Sequence, residues 1–245
     1  AHGETPMSVE FGDTVRMGMQ WLANDVGSGN LMRKYSKKAY RNGIATYALS
    51  EAYGMTQIPF IKQSMEHGLE TIIKGQQSKG GFDYDYRKGD RWDLSVAGWQ
   101  VQALRAGFAA GATNEGLHEA IEKSERFLVQ DCFKKNGFAY ASGNGRSENL
   151  TGTGAVCLQL MGKSKTKEVK AALEFIGGKR LTELEAYDKR GSDGKKFEDK
   201  EFNISDEEKE YEVIELNDPH AHAEIGQAEA LSSHLSPQNT HDGPR

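Results

Sequence analysis

The chain has 245 residues, of which 37% are hydrophobic and 27% charged, with a net charge of −5. This is enough apolar material for a buried core, and it excludes collagen, coiled coil and wholesale disorder. No apolar run approaches the ~18 residues of a membrane-spanning helix, and the mean hydropathy of −0.69 is that of a soluble protein. No basic stretch is interleaved with aromatics, so neither nucleic acid nor a membrane span is expected. Cys132 and Cys157 are too few for a disulfide framework and form no C-x-x-C pair. The opening Ala1-His2-Gly3 fits a processed mature protein, which would act outside the cytoplasm, as well as an expression product or a fragment.

Helices of two kinds alternate along the chain. Val15, Met19, Trp21 and Leu22 predict a first amphipathic helix, and residues 43–53, rich in Ala, Gly, Ser and Thr, predict a helix of small residues. Ile61, Met65, Leu69, Ile72 and Ile73 give the second amphipathic helix, followed by the loop Gly80-Gly81-Phe82-Asp83-Tyr84 and a small-residue helix over 95–106. Leu117, Ile121, Phe127 and Leu128 give the third, followed by Asn136-Gly137-Phe138-Ala139-Tyr140 and a small-residue helix over 151–161. A fourth amphipathic helix carries Val169, Ala172, Leu173, Phe175 and Ile176 and is expected to end at Gly177-Gly178. No strand pattern competes. From Lys179 to Asp218, 22 of 40 residues are charged, which reads as an insertion or linker over 179–220, with Tyr187, Phe197, Phe202 and Tyr211 able to dock it. Ile225, Ala228 and Leu231 predict a last helix over 221–235, and 236–245 reads as a disordered tail.

The alternation is an internal repeat. Gly43, Ala48 and Leu49 return as Gly98, Ala103 and Leu104 and again as Gly152, Cys157 and Leu158, at offsets of 55 and 54 residues. Phe82 and Tyr84 return as Phe138 and Tyr140 after 56. Small residues allow helices to approach closely, so the expected fold is all-α. It is an array of about three and a half helical hairpins over 1–178, small-residue helices inside and amphipathic helices outside.

Gly43-Ile-Ala-Thr-Tyr-Ala-Leu-Ser-Glu-Ala-Tyr-Gly54, Gln76-Gln77 before Gly80-Gly81-Phe82, and Asp93-Leu-Ser-Val-Ala-Gly-Trp-Gln100 resemble the prenyltransferase and squalene-cyclase repeat. More narrowly, they resemble the large bacterial proteins that carry this repeat without an established activity. The resemblance covers roughly residues 15–178 and implies an α/α toroid, two concentric layers of helices around an apolar cavity. Terpene cyclases of this kind protonate an alkene from a D-x-D-D motif; the nearest string here, Asp83-Tyr84-Asp85-Tyr86, lacks the last Asp. Protein prenyltransferases hold zinc through D-x-C; the string here is Asp93-Leu94-Ser95, and an alcohol is a poor zinc ligand, so no cofactor is expected. The Gly-Cys-Gly-Glu-Gln string of complement-type thioester domains is absent. Toroids of this family close with about five to seven hairpins, so this chain would form an open arc that further sequence, a partner or its own copies complete, or whose end the charged segment and the 221–235 helix cover.

Asp83, Asp85 and Asp93 are the candidate catalytic residues. They crowd one loop with Asp90, Arg87, Lys88 and Arg91, where they would act as acid or cation ligand at a cavity mouth. The same pattern also reads as a solvated loop of exposed ion pairs, with Asp93 as the N-cap of the helix that follows. Tyr47, Phe82, Tyr84, Trp92, Trp99, Gln100, Phe138 and Tyr140 are the candidate ligand-binding residues, lining an apolar pocket or offering π faces to a cation. The alternative is that the aromatics lock loop to helix and that Gln76, Gln77 and Gln100 tie helix ends together. His220 and His222, with His234 and His241 downstream, lack metal-ligand spacing. The expected activity is binding of an apolar small molecule or a protein partner on the inner-helix face. The alternative is an isoprenoid-type cyclase or transferase using the 83–93 loop.

Overall fold

The structure, a computed structural model, describes residues 4–33 and 37–190. Its first helix, Gly12–Gly27 (α1), has Asp13 in the first turn, where a carboxylate complements the helix dipole, and is followed by the short Asn30–Arg33 (α2). Lys38–Thr56 (α3) is the first small-residue helix; Ala39, Asn42, Gly43, Ala45, Thr46, Leu49 and Ser50 are all buried in it. Pro59–Gly75 (α4) starts with proline in its first turn, where the missing N–H costs nothing. Its Ile61, Met65, Leu69 and Ile72 are fully buried, one stripe at helical spacing. Leu94–Ala109 (α5) and Leu117–Phe127 (α6) repeat the pair, and Glu148–Leu160 (α7) and Lys167–Arg190 (α8) follow.

Packing follows chain order. The small-residue helices lie side by side, α3 against α5 and α5 against α7. The amphipathic helices cover them, α4 against α1, α3 and α5, α6 against α5, and α8 against α7. Close approach is why the inner helices are made of small residues. A Cβ on Gly98 of α5 would stand 2.6 Å from Thr153 on α7.

The repeated Gly-Phe-x-Tyr loops join the units. The Phe82 carbonyl accepts from Asp93 N–H at 3.0 Å and the Phe138 carbonyl from Ser147 N–H at 2.7 Å, so each loop holds the residue that caps the next inner helix. The tyrosine carbonyl reaches back. Tyr84 accepts from Ala39 N–H at 2.9 Å and Tyr140 from Leu94 N–H at 2.8 Å, satisfying orphan donors at the start of the previous inner helix. Each loop therefore secures the helix ends of two successive units.

The all-α expectation holds, with three local differences. A two-residue antiparallel pair, Phe133–Lys134 (β1) with Gly137–Phe138 (β2), closes the second loop, and a π turn over Leu128–Cys132 precedes it. Such short pairs carry no period-2 signal to read. The helix expected to end at Gly177-Gly178 runs on to Arg190. A glycine costs a helix about 1 kcal/mol but keeps its N–H, and the following Lys, Arg, Leu, Glu and Ala are strong helix formers. The remainder of the charged segment, the helix expected over 221–235, the 236–245 tail and the four C-terminal histidines lie outside the described residues. No helix among the described residues is long and apolar enough to cross a membrane.

Candidate functional site

The starts of α3 and α5 and the loops leading into α5 and α7 bring together a cluster of hydroxyls around one carboxylate. Asp93 is only 4% exposed and caps α5. Its Oδ1 accepts the Ser95 backbone N–H at 2.9 Å and the Ser95 hydroxyl, and its Oδ2 accepts the Tyr84 hydroxyl at 2.8 Å. The Tyr140 hydroxyl lies 3.0 Å from that of Tyr84, and the Tyr40 hydroxyl bonds to Ser95 Oγ. The Tyr40 and Tyr84 rings are 5.7 Å apart, and Lys37 Nζ lies 5.8 Å from the Tyr84 ring centre. The neighbouring Tyr140 hydroxyl, then burial and the Asp93 carboxylate, push the Tyr84 hydroxyl above the ordinary tyrosine range. Burial pushes Tyr40 the same way. Tyr40 and Tyr84 thus hold their protons more tightly than a free tyrosine does.

The three candidate catalytic carboxylates serve three different pieces of backbone. Asp83 is 5% exposed, and its Oδ1 accepts from the N–H groups of Asp85 at 2.8 Å and Arg87 at 3.2 Å, holding the turn. Asp85 accepts from Lys38 N–H at 3.3 Å at the start of α3 and pairs with Arg87 at 3.5 Å. Only Asp93 belongs to the hydroxyl cluster.

The candidate ligand-binding residues divide by burial. Phe82 and Phe138 are completely buried, as is Gln100, and Trp92 packs edge-on against Phe127 with centroids 5.1 Å apart. Gln100 donates to the Ala39 carbonyl at 2.8 Å and accepts the Tyr86 hydroxyl at 2.8 Å, tying α5 to α3 and to the loop. Gln76 likewise spends its amide on Gly80, Ala120 and Ser124. These four candidates, Phe82, Trp92, Gln100 and Phe138, therefore form core and offer a ligand nothing; the alternative reading of them as locks and ties is the one the contacts match.

Tyr47, Trp99, Tyr84 and Tyr140 do reach solvent. The Tyr47 and Trp99 rings, on α3 and α5, meet at 6.3 Å. Around them the inner layer exposes Ile44 (42%), Met55 and, on α7, Val156 and Leu160. Tyr40, Ile44 and Tyr47 stand one or two turns apart on one face of α3, as Ser95 and Trp99 do on α5. On α3 and α5, which pack side by side, hydroxyls thus stand at the helix starts and apolar side chains beyond them. Tyr40 and Ile44 are the members that composition and motif did not single out, and Ser95 was noted only as the residue standing where zinc-holding relatives would have Cys. The signal for Tyr40 and Ile44 was the helical register of Tyr47, since residues three and seven positions earlier share its face.

Among the described residues no three His, Cys, Asp or Glu side chains converge as a metal-binding group. In the Asp93-Leu94-Ser95 string the Ser95 hydroxyl donates to Asp93 Oδ1. Both cysteines are buried, and burial raises their thiols, Cys157 to about 12, which leaves them unreactive as nucleophiles. No family model, curated protein or solved structure matches this chain.

Proposed function

We propose that the chain is a helical-repeat protein of the prenyltransferase and squalene-cyclase toroid kind that binds an apolar ligand or a protein partner across its inner helices. The observation that carries this reading is the exposed apolar face of α3, α5 and α7, where Ile44, Tyr47, Trp99, Val156 and Leu160 meet solvent on the layer that should have been the better covered. Exposed apolar side chains grouped on one face, with aromatics among them, mark binding surfaces rather than ordinary surface. Binding is favoured over isoprenoid cyclisation or transfer because Asp83, Asp85 and Asp93 spend their oxygens on turns and helix starts of the chain itself.

Titration with the neutral apolar dye N-phenylnaphthylamine tests the reading. Trp99→Ala is expected to weaken dye binding by about tenfold, roughly the loss of one buried aromatic contact. Trp21→Ala, on the far helix α1 and 66% exposed, is expected to leave it unchanged. The reverse ranking would move the binding surface to the outer layer and overturn the proposal.

A further inference from the structure

We propose that the head of this ligand is an alkylammonium cation, seated on Tyr40, Tyr84 and Tyr140 with its apolar tail lying along Ile44, Tyr47 and Trp99. This rests on the inner-face reading above and adds the charge of what binds there.

The argument is the direction of the protons. A hydroxyl has a single proton to donate. Tyr84 gives its proton to Asp93 Oδ2, so in the Tyr84–Tyr140 bond the donor is Tyr140. Ser95 gives its proton to Asp93 Oδ1, so in the Tyr40–Ser95 bond the donor is Tyr40. Both chains of hydroxyls run inward to the same carboxylate, and both end in a phenol whose proton is already spent. Neither the Tyr40 nor the Tyr140 oxygen accepts a hydrogen bond from another described residue. What the cluster presents outward is therefore acceptor lone pairs only, polarised by the carboxylate behind them. A carboxylate, phosphate or carbonyl head would meet no hydroxyl donor there, and the Lys37 ammonium, near the Tyr84 ring, is already placed over a π face. A protonated amine, which has only donors, meets two acceptors.

Two further features select a cation. Asp93 is buried, and among the described residues no Lys, Arg or His lies within ion-pair distance of it. The start of α5 offsets part of its charge, and a ligand ammonium would offset more. The phenol rings also offer π faces; that of Tyr84 is approached by the Lys37 ammonium at 5.8 Å, which a ligand cation would displace. The tail has a track as well. Tyr40 to Tyr47 spans about 10 Å of helix axis at 1.5 Å per residue, with Trp99 alongside.

Calorimetric titration of the full chain with octylammonium, octanol and octanoate at equal ionic strength decides the matter. Octylammonium is expected to bind about tenfold or more tighter than either of the others. Asp93→Asn keeps an N-cap acceptor while removing the charge, and its amide turns the Tyr84 branch around, so the preference should shrink to about threefold or less with the melting temperature nearly unchanged. Tyr140→Phe, which leaves the cap untouched, should reduce it too. Equal binding of the three ligands, or a preference for octanoate, overturns the charge assignment while the apolar-face reading stands. Failure of all three to bind overturns the cation assignment and the apolar-ligand arm of the inner-face reading, leaving a protein partner as its occupant. A preference that survives both substitutions places the cation elsewhere and overturns the assignment of the tyrosines.

Discussion

Two buried threonines show how differently the same side chain is used in this fold. Thr46 and Thr151 are both completely buried. Thr151 Oγ1 accepts from Phe138 N–H at 3.2 Å and donates to the Ser147 carbonyl at 2.5 Å, so it welds the second loop to α7. Among the described residues Thr46 Oγ1 has no hydrogen-bond partner, and it faces Gly68 across the α3–α4 contact. A buried hydroxyl without a partner is a cost, whereas deleting one of a bonded set leaves its partner unsatisfied. Thr46→Val should therefore leave stability unchanged or raise it by up to about 1 kcal/mol, while Thr151→Val should lower it by about 1–3 kcal/mol. Urea denaturation of the two variants side by side measures the difference. Equal losses would mean that Thr46 has a partner after all. Asp93 belongs at this scale too. It reads from sequence as an N-cap because it precedes a helix-forming run, and the cap is there at 2.9 Å. The hydroxyl network around both its oxygens was not legible, because Tyr40 and Tyr140 lie 53 and 47 residues away in the chain.

At the scale of the element, glycine does opposite things in the two kinds of helix. In α7, an inner helix, a Cβ on Gly154 would stand 2.5 Å from carbons of the Phe138 ring, itself fully buried at the centre of the repeated loop. In α1, an outer helix, a Cβ on Gly18 would meet nothing within 4 Å. Glycine to alanine in an open helix stabilises by about 0.5–1 kcal/mol through backbone entropy. Gly18→Ala should show that gain. Gly154→Ala should instead destabilise by about 2 kcal/mol or more, because an aromatic ring held between loop and helix cannot yield without opening the core. A stabilised Gly154→Ala protein would show that the loop is free to move off α7. The same contrast explains which elements were legible. The outer helices announced themselves by period, as Ile61, Met65, Leu69 and Ile72 do, and the inner ones by composition and repetition. The helix end at Gly177-Gly178 was misplaced because glycine marks a stop only when the sequence beyond it lacks helix formers, and here the charged run continues the helix. The role of Phe82 and Phe138 was legible only as a pair of alternatives. A repeated aromatic is equally expected of a pocket and of a lock, and burial alone separates them.

For the molecule as a whole, the ionisable groups within the fold set a one-sided dependence on pH. Burial raises the Tyr86 hydroxyl and the Cys132 thiol above their ordinary ranges and takes Cys157 to about 12; Tyr40 is raised by burial, and Tyr84 by its bond with Tyr140 and by burial. In every case the folded chain holds the proton more tightly than the unfolded one. Their stabilising contribution is therefore fully present below the unfolded values, 9.0 for cysteine and 10.0 for tyrosine, and is lost as pH rises from there through the folded values. Burial raises Tyr47 in the same way, while Lys88 and Arg105 act in the opposite sense, since burial lowers them, but they are two partly exposed groups against six. The urea midpoint should accordingly be flat between about pH 7 and 8.5 and fall steadily from about pH 9 to 11. Cys157→Ala should be less stable at neutral pH, because it opens a cavity, yet its midpoint should fall less steeply above pH 9, because one of the titrating groups is gone. An alkaline slope identical to that of the parent chain would mean that Cys157 ionises as readily in the folded state as in the unfolded. The contact between α5 and α7, where its sulfur lies 3.8 Å from the Gly98 carbonyl, would then be open to water. That outcome would also weaken the view of α3, α5 and α7 as one tightly packed layer, on which the continuity of the exposed apolar face depends.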